Sequence, residues 1–328
     1  MQAPVIAVTA GDPCGIGPEI ILKTLARGVP SRARLIIIGD HAVFERTARR
    51  LRRRLPAWRI IASRSWRSAE AAKPPLTFLD AGRFPHAIPG RSSREAGAAS
   101  LAYLDLAISL WRHGRVHALV TAPVTKWAVR RVEPSFVGHT EYLARAMGAR
   151  EVLMMFASDA LRVVLLTRHL PLARVPAAIT GPRLRRALQM TASSLRREFG
   201  IRRPRIAVCG INPHAGEASP ESVEQAIMRP VLRSLRRRGL SCDGPFAADG
   251  FFASARGYDA VVCGYHDQGL IPFKMAARDR GCQVTVGLPI IRTSPDHGSA
   301  LDIAGTGIAN PGSMRYALAL AAMLSSRG

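Results

Sequence analysis

Short apolar runs rich in β-formers alternate with longer stretches of helical period along the chain, and this alternation most restricts the fold. The runs are VIAVTA near Val5, RLIIIG near Leu35, ALVTA near Leu119, EVLMMFA near Val152, LRVVLLT near Val163, RIAVCG near Ile206, DAVVCG near Val261 and QVTVGL near Val284. Between them lie PEIILKTLARG, AGAASLAYLDLAISLWRHG, PRLRRALQMTASSLRREFG and SVEQAIMRPVLRSLRRRG, with apolar residues at helical spacing. Strand then helix, repeated, predicts an α/β protein with helices on both faces of a sheet. No repeat of solenoid period occurs. A chain of 328 residues buries a large core and divides into two domains or two lobes. The stretch from Ser63 to Arg94 is rich in Pro, Ser, Arg and Ala, and reads as a long surface loop around one short strand at LTFLD, with a weaker reading as a boundary.

The formal net charge of +24 raises the question of a nucleic-acid partner. Nearly all of that charge is arginine, lysine occurring only at positions 23, 73, 126 and 274. The arginines cluster in ERTARRLRRRL, RLRRAL, SLRREFGIRR and LRSLRRRGL, which read as polar faces of amphipathic helices. No aromatic residues are interleaved for base stacking, so neither a nucleic-acid nor a membrane partner is expected. The five cysteines, Cys14, Cys209, Cys242, Cys263 and Cys282, are scattered and never form a CxxC pair, which argues against a disulfide framework or a cysteine-rich metal site. Met1 leads directly into QAPVIAVTAGD without a basic-then-apolar leader, and no apolar run reaches spanning length; the expectation is a cytoplasmic protein.

Three histidines share one address. His169 follows LRVVLLT, His214 follows RIAVCG and His266 follows DAVVCG, and residues just past the carboxyl ends of parallel strands line the ligand crevice of such sheets. Three imidazoles converging there suit a divalent cation with one position open to substrate; each taken singly is an ordinary loop histidine. His139 and Thr140 open a helix, where capping is the plain alternative to ligand contact. Lys274 and Arg292 follow apolar runs and suit a phosphate or carboxylate, or else are two surface cations. In TAGDPCGIGPEI, Ile20 stands where the third glycine of a dinucleotide fingerprint would be, so the stretch reads as a turn opening a helix. The long loop DHGSALDIAGTGIANPGSM is dense in small residues that let a flat ligand approach the backbone, and Asp302 suits ribose hydroxyls.

Together, GDPCGIGPEI, TAPVTK, GHTEYLA, RHLPL, INPHAGE, GPFAADGFF, GYHDQG and GLPIIRTSPDHGSALDIAGTG resemble the 4-hydroxythreonine-4-phosphate dehydrogenase family of pyridoxal phosphate biosynthesis, in family order along nearly the whole chain. The resemblance implies an isocitrate/isopropylmalate dehydrogenase-like, two-lobed α/β/α fold with a central mixed sheet. It implies a cofactor-binding lobe of residues 1–135 plus 275–328 and a metal, substrate and dimerisation lobe of residues 136–274. It assigns a divalent cation (Zn, Mg or Co) to His169, His214 and His266. Substrate contacts fall on His139, Thr140, Lys274, Arg292 and Gln283, the last standing where the family has asparagine. Lys274, Asp267 and Asp249 are the implied catalytic positions.

The small-residue loop is similar to the cofactor loop of isopropylmalate dehydrogenases, which points to His297, Gly298, Ala300, Asp302 and Asn310 as contacts to NAD, NADP being possible. Asp302 beside Ile303 matches the NAD-preferring form, since a carboxylate repels a ribose 2′-phosphate. The implied reaction is oxidation of 4-phosphooxy-L-threonine at C3 with decarboxylation to 3-amino-2-oxopropyl phosphate, in a homodimer with a shared active site. Alternatives are a paralogue acting on threonate or erythronate phosphate, a dehydrogenase of aromatic cis-dihydrodiols, and, in a different class, an arginine-rich nucleic-acid-binding protein on this fold.

Overall fold

A computed structural model describes residues 3–28, 33–66, 75–217, 219–254 and 257–327. Within them the strands are Val5–Thr9 (β1), Arg34–Gly39 (β2), Arg59–Ala62 (β3), Leu76–Asp80 (β4), Ala118–Thr121 (β5), Leu153–Ser158 (β6), Arg162–Leu165 (β7), Ile206–Cys209 (β8), Cys242–Phe246 (β9), Ala260–Cys263 (β10), Gly281–Val286 (β11) and Ile291–Ser294 (β12). The α-helices are Gly17–Leu25 (α1), His41–Arg50 (α2), Arg94–Arg112 (α3), Lys126–Arg130 (α4), His139–Ala146 (α5), Val175–Ala178 (α6), Gly181–Arg197 (α7), Arg229–Arg237 (α8), Ala248–Ala253 (α9), His266–Ala277 (α10) and Gly312–Ser325 (α11).

The chain forms two compact units, Met1–Val152 with Leu288–Ser326, and Leu153–Gly287 with Arg327–Gly328. These boundaries differ from the breaks at 135 and 274 expected from the sequence. Helix α10 packs on β7, β10 and β6, and β11 pairs with β6, so the chain as far as Gly287 stays with the second unit.

In the first unit the strand order is β3-β4-β2-β1-β5-β12, and every pairing is parallel. β1, β5 and most of β2 and β4 are buried, so they read as continuous apolar runs rather than alternating ones. The LTFLD strand, β4, lies inside the sheet between β3 and β2, so the Ser63–Arg94 stretch is more than a surface loop; residues 67–74 of it lie outside the described residues.

In the second unit the order is β11-β6-β7-β10-β8-β9. β6 runs antiparallel to both β11 and β7, while β7, β10, β8 and β9 are parallel, so the sheet is mixed. Its core gathers Val163, Leu165, Ala207, Cys209, Val261 and Phe273. The arginine-rich helices are amphipathic as read, although Arg52, Arg53 and Arg54 lie past the end of α2 and Arg202 and Arg203 past the end of α7. In α7, Leu184, Leu188 and Leu195 are buried while Arg183, Arg186, Arg196 and Arg197 face solvent.

Three strands escape a periodic reading. β3 is a short edge strand behind an arginine run, β9 (CDGPF) is an edge strand carrying Gly and Pro, and β12 (IRTS) has one apolar residue. All five cysteines are free and buried. Among the described residues no helix is long and apolar enough to cross a membrane.

Candidate active site

Strands β7, β10 and β8 are parallel neighbours, so their carboxyl ends open onto one sheet edge of the second unit. His169, His214 and His266 all follow those ends. His266 is the first residue of α10, and its Nδ1 lies 2.7 Å from Asp267 Oδ1. The His169 and His266 rings face one another with centroids 6.0 Å apart. His214 sits in a turn where two consecutive non-glycine residues are left-handed, His214 at φ 50° and Ala215 at φ 53°. Such backbone persists only where its surroundings over-determine it.

The surroundings here are a buried carboxylate. Glu224 opens a turn of π-helix leading into α8 and is fully buried. Its Oε1 accepts from the amides of Ile211 (2.6 Å) and Asn212 (2.8 Å), and its Oε2 accepts from Asn212 Nδ2 (2.9 Å). Burial alone would raise the Glu224 pKa, but these donors outweigh it and hold the carboxyl below its usual value.

A cavity of about 460 Å³ opens beside this loop, with His214, Asp249, Asp267, Gln268, Ile271 and Met275 in its wall. Asp249, in the first turn of α9, and Asp267 therefore share one pocket with His214. Lys274, in the last turn of α10, lies seven residues after Asp267, on the same helix stripe about 10.5 Å along the axis. Gln283 is buried on β11 opposite Phe156, and its Nε2 donates to Thr285 Oγ1 at 3.0 Å. The imidazole chemistry on this edge fits a divalent cation. Within the one chain His169 pairs with His266 and His214 pairs with the pocket, and among the described residues no three His, Cys, Asp or Glu side chains are gathered as a ligand set.

In the first unit, Gly138 is the N-cap of α5, and His139 and Thr140 are its first two residues. Neither caps the helix through its side chain, so the capping alternative does not account for them. Thr140 is buried and His139 partly so. Enclosure, then the Arg292 guanidinium and the Lys126 ammonium, push the His139 pKa well below the ordinary imidazole value, leaving the ring neutral at neutral pH. Arg292, on β12, is 2 % exposed, and its Nη2 donates to Thr121 Oγ1 at 2.6 Å. It is not the surface cation of the plainer reading.

The small-residue loop between β12 and α11 is fastened at both ends. Ser313 Oγ joins Asp296, Asn310 Oδ1 accepts from the Gly312 amide at 2.8 Å, and Ser299 Oγ meets Thr125 Oγ1 at 2.9 Å. Helix α1 supplies the main clamp. Lys23 Nζ donates to the carbonyls of Gly307 and Ala309, each at 2.7 Å, and Glu19 Oε1 accepts from the Ala309 amide at 3.0 Å. The GDPCGIG turn packs under the same loop: the Ile16 amide donates to Ser299 O at 3.0 Å, and a Cβ on Gly15 would come within 2.9 Å of that carbonyl. The first glycine-rich stretch is thus a platform for the second.

His297, Gly298, Ala300 (φ 42°), Asp302 and Asn310 lie along this loop, with Gly298, Asp302 and Asn310 exposed. His297 Nε2 is buried with no hydrogen-bond partner among the described residues, a polar atom suited to a ligand group. An exposed carboxylate, glycine-lined backbone and an orphaned ring nitrogen fit a dinucleotide.

Residues 31–321 match the family model described as Pyridoxal phosphate biosynthetic protein PdxA. The chain belongs to the PdxA family. A Chromobacterium violaceum protein named 4-hydroxythreonine-4-phosphate dehydrogenase is 42% identical over 330 residues, covering 99% of this chain and 98% of the relative. The crystal structure of 4-hydroxythreonine-4-phosphate dehydrogenase from Klebsiella pneumoniae superposes with a TM-score of 0.85 at 34% identity, covering 98% of each chain. A terephthalate 1,2-cis-dihydrodiol dehydrogenase from Burkholderia xenovorans gives a TM-score of 0.65 at 32% identity, with 98% of each chain covered.

In this PdxA-family chain, sequence reasoning passed over Glu224, Gln268, Glu19 and Lys23. Glu224 lay inside a helical pattern, and Glu19 and Lys23 lay within the helical stretch PEIILKTLARG, where nothing local points to the distant loop they hold. The one available signal was an acid flanked by residues that the helix period places inward.

Proposed function

We propose that the protein is a 4-hydroxythreonine-4-phosphate dehydrogenase that oxidises 4-phosphooxy-L-threonine at C3 with NAD and decarboxylates it to 3-amino-2-oxopropyl phosphate, with a divalent cation, as a homodimer serving pyridoxine 5′-phosphate biosynthesis. In a chain of this family, the observation that carries the reading is the buried Arg292 beside a neutral His139 and Lys126. A guanidinium 2 % exposed, held in one place by its hydrogen bond to Thr121 Oγ1, is a fixed cation suited to the anionic groups of such a substrate.

Arg292, His139 and Thr140 are assigned to the anionic groups of the substrate, as are Lys274 and Gln283. His169, His214 and His266 would hold the cation. When bound, the cation supplies Lewis-acid stabilisation of negative charge and the nicotinamide supplies the two-electron acceptor. Asp267 would orient the His266 ring through the 2.7 Å contact at Nδ1, which leaves Nε2 as the nitrogen free to meet a ligand. Asp249 and Asp267, exposed in the same pocket, are the groups placed to exchange protons with substrate oxygens there. Asp302 accepts from the ribose hydroxyls and disfavours a 2′-phosphate, so NAD is preferred over NADP.

The test is an NADH absorbance assay with NAD, a panel of divalent cations and a panel of phosphorylated four-carbon hydroxy acids. Turnover of 4-phosphooxy-L-threonine ahead of threonate and erythronate phosphates is the expected result. A preference for either of those, or for an aromatic cis-dihydrodiol, overturns the substrate assignment.

A further inference from the structure

Resting on the metal-site reading above, we propose that Glu224 and Gln268 are positioning residues that together set the His214 loop against the His266 loop. The Gln268 amide spans the two. Its Oε1 accepts from the Gly264 amide at 2.7 Å, and its Nε2 donates to the Gly210 carbonyl at 2.5 Å. Gly210 and Gly264 are the residues that follow β8 and β10, so this side chain fixes the spacing of the two chain segments just before the histidines.

Glu224 holds the other side of the His214 loop. Three donors from Ile211 and Asn212 converge on its carboxylate, while Gly210 and Gly216 pack flat against it. A Cβ on Gly210 would come within 3.0 Å of Glu224 Oε1, and one on Gly216 within 2.8 Å of Oε2. Between those fixed points lie His214 and Ala215 in left-handed backbone. Without the carboxylate, the amides of Ile211 and Asn212 lose their partner, and the left-handed histidine is left to the turn's own bonds, Ala215 N to Asn212 O and Glu217 N to His214 O. With it, the turn has one conformation and His214 one direction.

Gly269 reinforces the arrangement from α10, because a Cβ there would strike Val163 Cγ1 at 2.5 Å; the helix carrying His266 and Gln268 is pressed directly on β7. Both groups act through the backbone of the histidine loops.

The experiment titrates metal-free protein with Co²⁺ and follows its ligand-field absorption, with His214→Ala as the control that the spectrum reports the histidines. Gln268→Ala and Glu224→Ala are expected to weaken Co²⁺ binding by about 10–100-fold and to shift the bands, as loss of groups that orient metal ligands does. Glu224→Gln keeps an acceptor for the two backbone amides and is expected to recover most of the loss. In parallel, hydrogen exchange on the metal-free protein should quicken at Ile211 and Asn212 in Glu224→Ala and at Gly264 in Gln268→Ala. Native near-ultraviolet dichroism with wild-type affinity and band positions in these variants overturns the proposal. Should Glu224→Ala not fold, Glu224→Gln and Gln268→Ala decide it. A wild type giving no histidine-dependent spectrum refutes the metal reading instead, and the exchange rates then decide whether the frame exists.

Discussion

The His169 and His266 rings stand 6.0 Å apart, centroid to centroid, with their planes inclined by 39°. They are 97 residues apart in sequence and meet because β7 and β10 are parallel neighbours whose carboxyl ends share an edge. Two imidazoles so placed, with His214 on the next strand of the same edge, set the first prediction. His214→Ala should remove metal-dependent turnover and reduce bound Zn, Mg or Co to background by mass spectrometry while leaving thermal unfolding close to wild type, since the side chain is exposed. A metal-stripped variant with full activity refutes the assignment.

Arg292 is 2 % exposed and held by its hydrogen bond to Thr121 Oγ1, and a charge-assisted hydrogen bond from it to a substrate anion would be worth about 1.5–3 kcal/mol. Arg292→Lys should therefore lower kcat/KM for the phosphorylated substrate by about 10–100-fold, because an ammonium cannot reproduce the planar fork. Steady-state kinetics showing less than a twofold change would place the substrate elsewhere.

His139 yields a pH dependence with a definite sign. Its native pKa lies below the ordinary 6.5, so as pH falls the unfolded chain takes up the proton first. The stability contribution is present above about pH 6.5 and is lost on acidification toward the depressed native pKa, with a slope of at most about 1.4 kcal/mol per pH unit. Urea unfolding from about pH 7 to pH 5 should show this loss in the wild type and a shallower one in His139→Gln. Parallel curves would mean that the ring is not held neutral by the fold.

Glu19 is 2 % exposed and Lys23 15 %, and together they clamp the loop that carries Asp302 and Asn310. Removing one member of such a pair leaves a buried charge without its counterion, at a cost of about 3–5 kcal/mol where burial is complete. Lys23→Met should destabilise the protein by up to that amount and raise the KM for NAD. Glu19→Leu with Lys23→Met should regain stability but not NAD affinity, which separates the two roles of the pair.

Asp302→Lys should shift the cofactor ratio toward NADP, because a cation replaces a carboxylate where a 2′-phosphate would lie. The ratio of kcat/KM values for the two cofactors measures it directly.

The local sequence was enough for whatever depends on neighbours along the chain. Apolar runs marked the strands VIAVTA to QVTVGL, helical spacing marked the arginine-bearing helices, and the position of each histidine just past a strand end was legible because strand and loop are adjacent in sequence. Partners chosen by the order of strands in a sheet were not legible. Lys23 reaches Gly307 across 284 residues, and Gln268 reaches Gly210 across 58. Whether Arg292 lies on the surface or is buried depends on which strand β12 pairs with, and β12 itself is too short and polar to announce a strand. A hydrogen bond or a buried charge is settled by what the folded chain brings within about 3 Å. Sequence period places a side chain on a face, and only the packed sheet decides what that face meets.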